Sequence, residues 1–497
     1  MKVLILGNQY IAVDIGASSG RLMLSGISDG KMTLKEVHRF KNGFRKIDGH
    51  DRWNIDLLIE EICCGLAKVR KMGIEEVTLG IDTWAVDYVL VGSDGRKLCD
   101  PVAYRDGRTR DAVEELTTKI PKKEIYKKTG IQFQNFNTLY QLYREDRELL
   151  KKTRMIMMIP DYIGYVLTGN AVTEVTNAST TQMMNLRHGL FDEGLLHEAG
   201  VKAEMFPPLV EAGTKLGGIK EDLRLEYDLP KTNVVTVATH DTASAVAGTP
   251  GRGHDWAFLS SGTWSLLGAE LNVPETGSQA FNENYTNEWG AYGTYRFLKN
   301  IMGMWIVQCI HREYQGRYTF SELADMAGKV SPFRQFIDVN DERFMNPENM
   351  IDEIRNYCRE TGQEVPETPG EIVMAVYSNL AMFYADQLHK LERILEEKIE
   401  VLNIVGGGSN VALLDQLTAD LSGVRVVAGP GEATAIGNII VSMISEGDLK
   451  NIEEGRQLIE DSFELKEYVP SPGKYREIME KYQKATGGND NDCAHGI

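Results

Sequence analysis

The sequence predicts an α/β protein built as two large lobes, and three observations lead to that expectation. The chain has 497 residues, and single hydrophobic cores rarely grow past ~250 to 300 residues before a chain divides. Its opening reads as three short strands, a helix and a further strand able to lie parallel in the same sheet. A similar order restarts after Gly251.

Tyr10 to Asp14 is a short run rich in β-branched residues, followed by the turn GASSGR; Leu22 to Ile27 and Met32 to Phe40 read as strands joined by a turn at Ser28 to Gly30. From Ile55 the apolar residues Ile55, Leu58, Ile59, Ile62, Leu66 and Val69 recur at helical spacing, with Asn54 placed to cap the start and Gly73 to end it. Val77 to Ile81 returns as a strand. Three antiparallel strands, a helix and a parallel strand are more specific than a generic α/β order. Val234 to Val237 is a further strand, running into the polar residues THDT and an Ala-rich helix. After Gly251, Ala257 to Leu267 contains two apolar runs flanking the turn SSGT, so the repeat is one of topology and not of text. Glu371 to Lys398 reads as one long helix after Pro369-Gly370. It leads into the strand Val401 to Val405, the glycines 406 to 408 and a helix from about Ala412. The expected division is a first lobe over residues 1–247, a second over 248–485, and a disordered tail over 486–497, which lacks apolar periodicity.

Composition narrows the class. Hydrophobic residues at 42% and charged residues at 25% are ordinary for a globular protein. A net charge of -18, with no basic run to override it, argues against nucleic acid as a partner. No apolar stretch approaches the ~20 residues that span a bilayer. The apolar start Val3 to Leu6 is cut short at Gly7, so neither a signal peptide nor an anchor is expected. The six cysteines show no CxxC pair and are expected to be reduced thiols in the cytoplasm. Cys63 and Cys64 fall on a predicted helix, where neighbours point about 100° apart and a local bridge is strained. The run Met155 to Met158 is most simply core.

Four segments carry candidate chemistry. Asp14 ends a strand, and Ala17, Ser18, Ser19, Gly20 and Arg21 follow it with small residues whose amides and hydroxyls can approach a phosphate. An ordinary hairpin turn would look the same. Ser260 to Thr263 forms a second polar turn at the matching place of the repeat, and two such turns can grip a phosphate chain. Gly406, Gly407 and Gly408 follow a strand and open a helix, so backbone there can lie flat against a nucleoside. Their spacing is neither GxGxxG nor GxxxxGK[ST]. Asp241, at a strand-to-helix junction, is held where a general base must stand, although a plain helix cap would occupy the same position.

Together, VDIGASSGR, LGIDTWAVDYVL, THDTASAV, LSSGTWSLLG and IVGGGSN, in this order, resemble the FGGY carbohydrate kinases of the actin-like ATPase superfamily. PVAYRDGRT, GIQFQNFNTLYQL, IPDY with TNAST, and LKNIMGMW with Gln308 resemble the subfamily acting on L-rhamnulose, so the likeness runs from Ala12 to Asn438. The resemblance implies two RNase H-like lobes with a cleft between them, the first binding sugar and the second ATP, closing around both. It implies transfer of the γ-phosphate of ATP, with Mg2+, to the 1-hydroxyl of L-rhamnulose. Asp241 would be the base, and Asp14 and Asp241 would hold the magnesium through water. Ala17 to Arg21, Thr263, Gln308, Gly407 and Gly408 would meet ATP. Trp84, Ala85, His240, Thr242 and Asn300 would meet the sugar. One departure stands out: the subfamily usually carries glycine where this chain has Ala85, and the added methyl would narrow the sugar site. A tryptophan after a strand, like Trp84, is more often core, and Asp87 is equally readable as a cap or a partner to an arginine. Rival readings are a kinase of fuculose, xylulose or glycerol, and a non-catalytic actin-like ATP-binding protein.

Overall fold

The strand Tyr10–Ile15 pairs antiparallel with Ser19–Ser28, which pairs antiparallel with Lys31–Lys41. On its other side Tyr10–Ile15 pairs parallel with Glu76–Thr83, which pairs parallel with Lys231–Thr236, and an antiparallel strand, Thr214–Gly218, completes the sheet. The opening of the chain is therefore the predicted meander, helix and parallel strand. A computed structural model describes residues 7–345, 347–473 and 475–486. The expected apolar start at Val3 to Leu6, Cys493, and the tail after Thr486 lie outside the described residues.

Helix Ile55–Lys71 starts where Asn54 Oδ1 accepts the Leu57 amide at 3.2 Å, and the chain turns away at Gly73, with φ +86°. Its apolar stripe of Ile55, Leu58, Ile62, Leu66 and Val69 packs on Ile11, Val13, Ile15 and Leu22, alternate residues of the sheet. Tyr10, Ala12 and Met23 point to the opposite face and are also buried. A sheet apolar on both faces needs cover on both. That second cover comes from far along the chain: Ile436, Ile439, Ile440 and Met443 of the helix Ala433–Glu446, with Leu458 and Ile459 of Ile452–Ser462.

The described residues group into two compact units, each drawn from more than one stretch of the chain. One compact unit comprises the described residues up to Pro250 together with Glu270–Leu298 and Ala433–Phe463. The other comprises Gly251–Ala269, Lys299–Glu432 and the described residues from Glu464.

The second unit repeats the pairing pattern of the first. Trp256–Ser261 pairs antiparallel with Ser265–Leu271 and parallel with Val401–Val405. Val401–Val405 pairs parallel with Arg425–Ala428, and Lys466–Tyr468 closes the set antiparallel. The long helix Pro369–Leu395 opens with a capping box between Thr368 and Glu371 and stops at Glu396, whose φ is +55°. Met155–Met158 forms a strand against Tyr88–Val91, with Ile156, Met157 and Met158 buried as expected of core. Cys63 is buried and Cys64 exposed on the same helix, both as free thiols.

Helices Asp241–Ala247 and Ala433–Glu446 meet backbone to backbone. A methyl on Gly437 would overlap the carbonyl oxygen of Ser244 and stand 2.6 Å from the amide nitrogen of Gly248. Neither obstacle is a flexible side chain. Gly437→Ala should destabilise the protein by about 1–3 kcal/mol, the usual cost of overpacking a close contact. A urea-unfolding midpoint equal to that of the wild type would show that the two helices can move apart freely.

Candidate active site

Sheet register brings the first unit's acids together. Asp14 stands directly beside Asp82 in the parallel pair, and Thr83 bridges to His240, its amide donating to the Thr239 carbonyl at 2.9 Å. Asp14, Asp82 and Asp241 thus lie at the carboxyl ends of three neighbouring parallel strands, where open α/β sheets bind their ligands.

Asp241 is the first residue of helix Asp241–Ala247, and His240 takes the N-cap position. The plain helix-cap reading therefore fails for Asp241. Its side chain retains about a third of its surface, at 34% exposure, so the carboxylate is set into protein but open to a ligand. Burial raises its pKa and Asp14 adds to the rise, while His240 opposes it. Asp82, which has no role in the sequence reading, is wholly buried. Its Oδ2 accepts from Asn438 Nδ2 at 2.6 Å, and Oδ1 has no hydrogen-bond partner among the described residues. Burial, then the proximity of Asp14, hold its pKa well above the usual carboxylate range. Asp14 itself pairs with Arg21 at 2.8 Å.

Those features fit a hydrated divalent cation. Among the described residues no group of three or more His, Cys, Asp or Glu side chains is arranged to grip a metal directly. Mg2+ keeps several of its waters and is commonly bound by only one or two carboxylates. An unpartnered buried carboxylate oxygen beside two further acids is a donor set that a cation would relieve.

The turn after Glu76–Thr83 is built tightly. Trp84 is 6% exposed, packs with its ring tilted 41° against Trp53 at a centroid separation of 4.3 Å, and commits its indole N–H to Asp87 Oδ2 at 2.9 Å. Asp87 neither caps a helix nor pairs with an arginine: Trp53 Nε1, the Tyr104 amide and Gln141 Nε2 also donate to its carboxylate. Val86 holds a left-handed backbone at φ +66°, unusual for a β-branched residue, and its carbonyl accepts from Thr138 Oγ1 at 2.6 Å. Ala85 alone keeps open surface between Val77 and Gly92. Because Val86 carries the positive φ and Ala85 does not, the extra methyl of Ala85 costs no backbone strain.

Burial pushes the Asp87 carboxyl up to about 6, although all four donors act to lower it. Between the unfolded value near 4 and that level, the folded chain holds a proton that the unfolded chain releases. This stabilising contribution is complete at low pH and is lost as pH rises through about 6. The unfolding midpoint of Asp87→Asn should accordingly fall less steeply than that of the wild type between pH 4 and 7.

In the second unit, Thr263 Oγ1 lies 3.4 Å from Gln308 Oε1, so the structure brings these two predicted ATP contacts together. Gly408 lies so close to Ser261 that any side chain would overlap its hydroxymethyl group, whereas Gly407 is exposed with open space around it. Asn300 sits part-buried on the strand Tyr295–Ile301. In the first unit, Ala17 and Ser19 are part-buried, Ser18 is exposed, and Gly20 lies under the Phe40 ring, which leaves no room for a side chain.

The sequence reading also missed Glu174, Glu288 and Arg296. Glu174 is buried and accepts from the amide and hydroxyl of Thr239, the residue before His240. Glu288 and Arg296 form a buried pair against the ring of His240. Only the strand-terminal GID at Asp82, read in parallel register with Asp14, carried a signal that could have been used.

Two family models match the chain: the N-terminal domain of the FGGY family of carbohydrate kinases over residues 9–248 and the C-terminal domain over residues 257–446. The rhamnulokinase of Ligilactobacillus salivarius is 65% identical over 475 residues, 96% of this chain and 98% of that protein. The rhamnulokinase of Bacillus subtilis is 51% identical over 475 residues, again 96% of this chain and 98% of that protein. Among solved structures, a ligand-bound xylulose kinase from Lactobacillus acidophilus aligns with a TM-score of 0.80 at 17% identity, covering 98% of this chain and 99% of that one. Plasmodium falciparum glycerol kinase with ADP aligns with a TM-score of 0.78 at 16% identity, covering 97% and 98%. The chain thus has the two-domain fold of those sugar kinases. No helix among the described residues is long and apolar enough to cross a membrane.

Proposed function

The chain belongs to the FGGY family of carbohydrate kinases, and from that premise we propose that it phosphorylates L-rhamnulose at the 1-hydroxyl with ATP. The products are L-rhamnulose 1-phosphate and ADP, in rhamnose catabolism in the cytoplasm. One observation carries the choice of sugar, namely identity with proteins named rhamnulokinase along nearly the whole chain. Residue chemistry supports the reaction type, because a half-open carboxylate stands at the carboxyl ends of parallel strands beside two further acids.

In this reading residues 1–247 supply most of the sugar site and residues 248–485 most of the ATP site. Asp241 takes the proton from the sugar hydroxyl as its oxygen attacks the γ-phosphoryl in line. Trp84, Ala85, His240, Thr242 and Asn300 position the sugar. Trp84 contributes by fixing the turn, because its indole N–H is already committed to Asp87. Ala17, Ser18, Ser19, Gly20, Arg21 and Thr263 face the phosphates, and Gln308, Gly407 and Gly408 line the remainder of the nucleotide site. Asp14 and Asp241, with Asp82 beside them, would hold Mg2+ through water, and the bound cation would spread the charge of the transferring phosphoryl. Closure around both substrates would then keep water from the γ-phosphate.

The test is ADP release with Mg2+ and ATP, presenting L-rhamnulose, L-fuculose, D-xylulose and glycerol in parallel. Release selective for L-rhamnulose is expected. Selectivity for another of these sugars would keep the kinase and overturn the substrate. Release with none of them would favour a non-catalytic ATP-binding protein.

A further inference from the structure

We infer that Glu288 and Arg296 are positioning residues for the reaction, acting through His240 to aim one oxygen of the Asp241 carboxylate at the substrate. The inference rests on the reading of Asp241 as the base, and the two can be tested apart.

Glu288 and Arg296 face each other directly across the antiparallel pair Thr286–Trp289 and Tyr295–Ile301. Arg296 is completely buried, and Glu288 is 6% exposed. Taking two such charges out of water is costly, and a well-packed apolar pair of similar volume is often at least as stable. A fold needing only stability at this point has no evident use for the ions. What the ions provide is direction. Arg296 places one terminal nitrogen 3.0 Å from Glu288 Oε2, the other 3.1 Å from His240 Nδ1, and donates its Nε–H to the Trp289 carbonyl at 3.1 Å.

An arginine side chain has donors and no acceptor. Its contact with Nδ1 therefore assigns that nitrogen the acceptor role, and the ring proton belongs on Nε2. Glu288 Oε2 lies 3.3 Å from Nδ1 but makes no hydrogen bond with it, so the arginine is the hydrogen-bond partner of that nitrogen among the described residues. His240 Nε2 lies 3.3 Å from Asp241 Oδ1, and Thr242 Oγ1 lies 3.1 Å from the same oxygen. Thr242 thus donates to Oδ1, and the Nε2 edge of the His240 ring stands beside the same oxygen. Oδ2 keeps its lone pairs for the proton of the sugar hydroxyl. Without the forked donor behind it, His240 could adopt the other tautomer or rotate, and Oδ1 would lose one of the contacts that fix the carboxylate plane.

The decisive variant is E288M/R296M in the full chain, which replaces the ions with an apolar pair of similar volume. Its melting temperature should stay within a few degrees of the wild type, while kcat with sugar falls at least tenfold and the KM for ATP is unchanged. A folded double variant with kcat within twofold of the wild type would overturn the inference. Arg296→Lys serves if that variant does not fold, because a single ammonium keeps the charge near Glu288 but cannot fork to His240. It too should lose at least tenfold in kcat, and retention within twofold counts against the proposal. A third readout needs no turnover and leaves Glu288 and Arg296 in place. Imidazole 15N spectra of the wild type, with His240 assigned through His240→Gln, should show Nδ1 without a proton and Nε2 with one. A protonated Nδ1 would overturn the inference. If the wild type releases no ADP with any sugar, the functional reading falls, and the spectra alone decide whether the relay exists.

Discussion

Asp241→Asn should lower kcat by at least ~10²-fold, the lower end of what a positioned acid–base group supplies, while the protein stays folded. The amide keeps the shape of the carboxylate and can still accept from Thr242 through one oxygen. It cannot take a proton from the sugar hydroxyl. Stability should hold or rise, because burial and Asp14 both disfavour the charged form that the substitution removes. The KM for ATP should change little if the loss is confined to the chemical step. Steady-state ADP release and a thermal melt on the same preparation check both halves. Turnover within threefold of the wild type would remove Asp241 from the chemistry, and a lowered melting temperature would mean that the carboxylate is structural.

Much of this arrangement was legible because strand ends and turns announce themselves locally. Asp14 and Asp241 each end an apolar run, and the glycines at 16, 20, 262 and 406 to 408 punctuate the turns beside the strands where the sequence placed them. Helix Ile55–Lys71 was legible for a similar reason, since cap, period and stop all lie within one short segment. What stayed hidden depends on pairings between distant parts of the chain. Asp82 becomes a site residue only through its register with Asp14 and its contact with Asn438, 356 residues away. Periodicity marks Ala433–Glu446 as a helix, yet nothing local says that it returns to cover the first sheet. Glu288 and Arg296 read locally as ordinary alternating strand residues, and only tertiary packing sets them against His240. Trp84 shows the opposite effect, because its motif suggested a ligand contact while the fold buries the indole against Trp53.

Glu174→Leu should be the most damaging single change outside the reacting groups, with a loss of at least about 3 kcal/mol. Glu174 accepts from the amides of Thr176, Asn177 and Thr239 and from the hydroxyls of Thr176 and Thr239, all at 2.6 to 3.2 Å. Leucine accepts nothing. The hydroxyls can rotate toward other oxygens, but the amides are fixed by the backbone, and each buried donor left unsatisfied costs about 1–3 kcal/mol. Burial raises the pKa of Glu174, so removing its charge returns part of that cost. The amides dominate because a protonated carboxyl can still accept, whereas leucine cannot. Activity should fall together with stability, since Thr239 anchors the strand end from which His240 and Asp241 project. Glu174→Gln separates the two effects. It keeps an acceptor oxygen but turns an NH2 toward groups that are themselves donors, so its urea midpoint should lie between those of the wild type and the leucine variant. If both variants unfold at the wild-type midpoint, the three amides have other partners, and Glu174 does not hold the strand end that carries the proposed base.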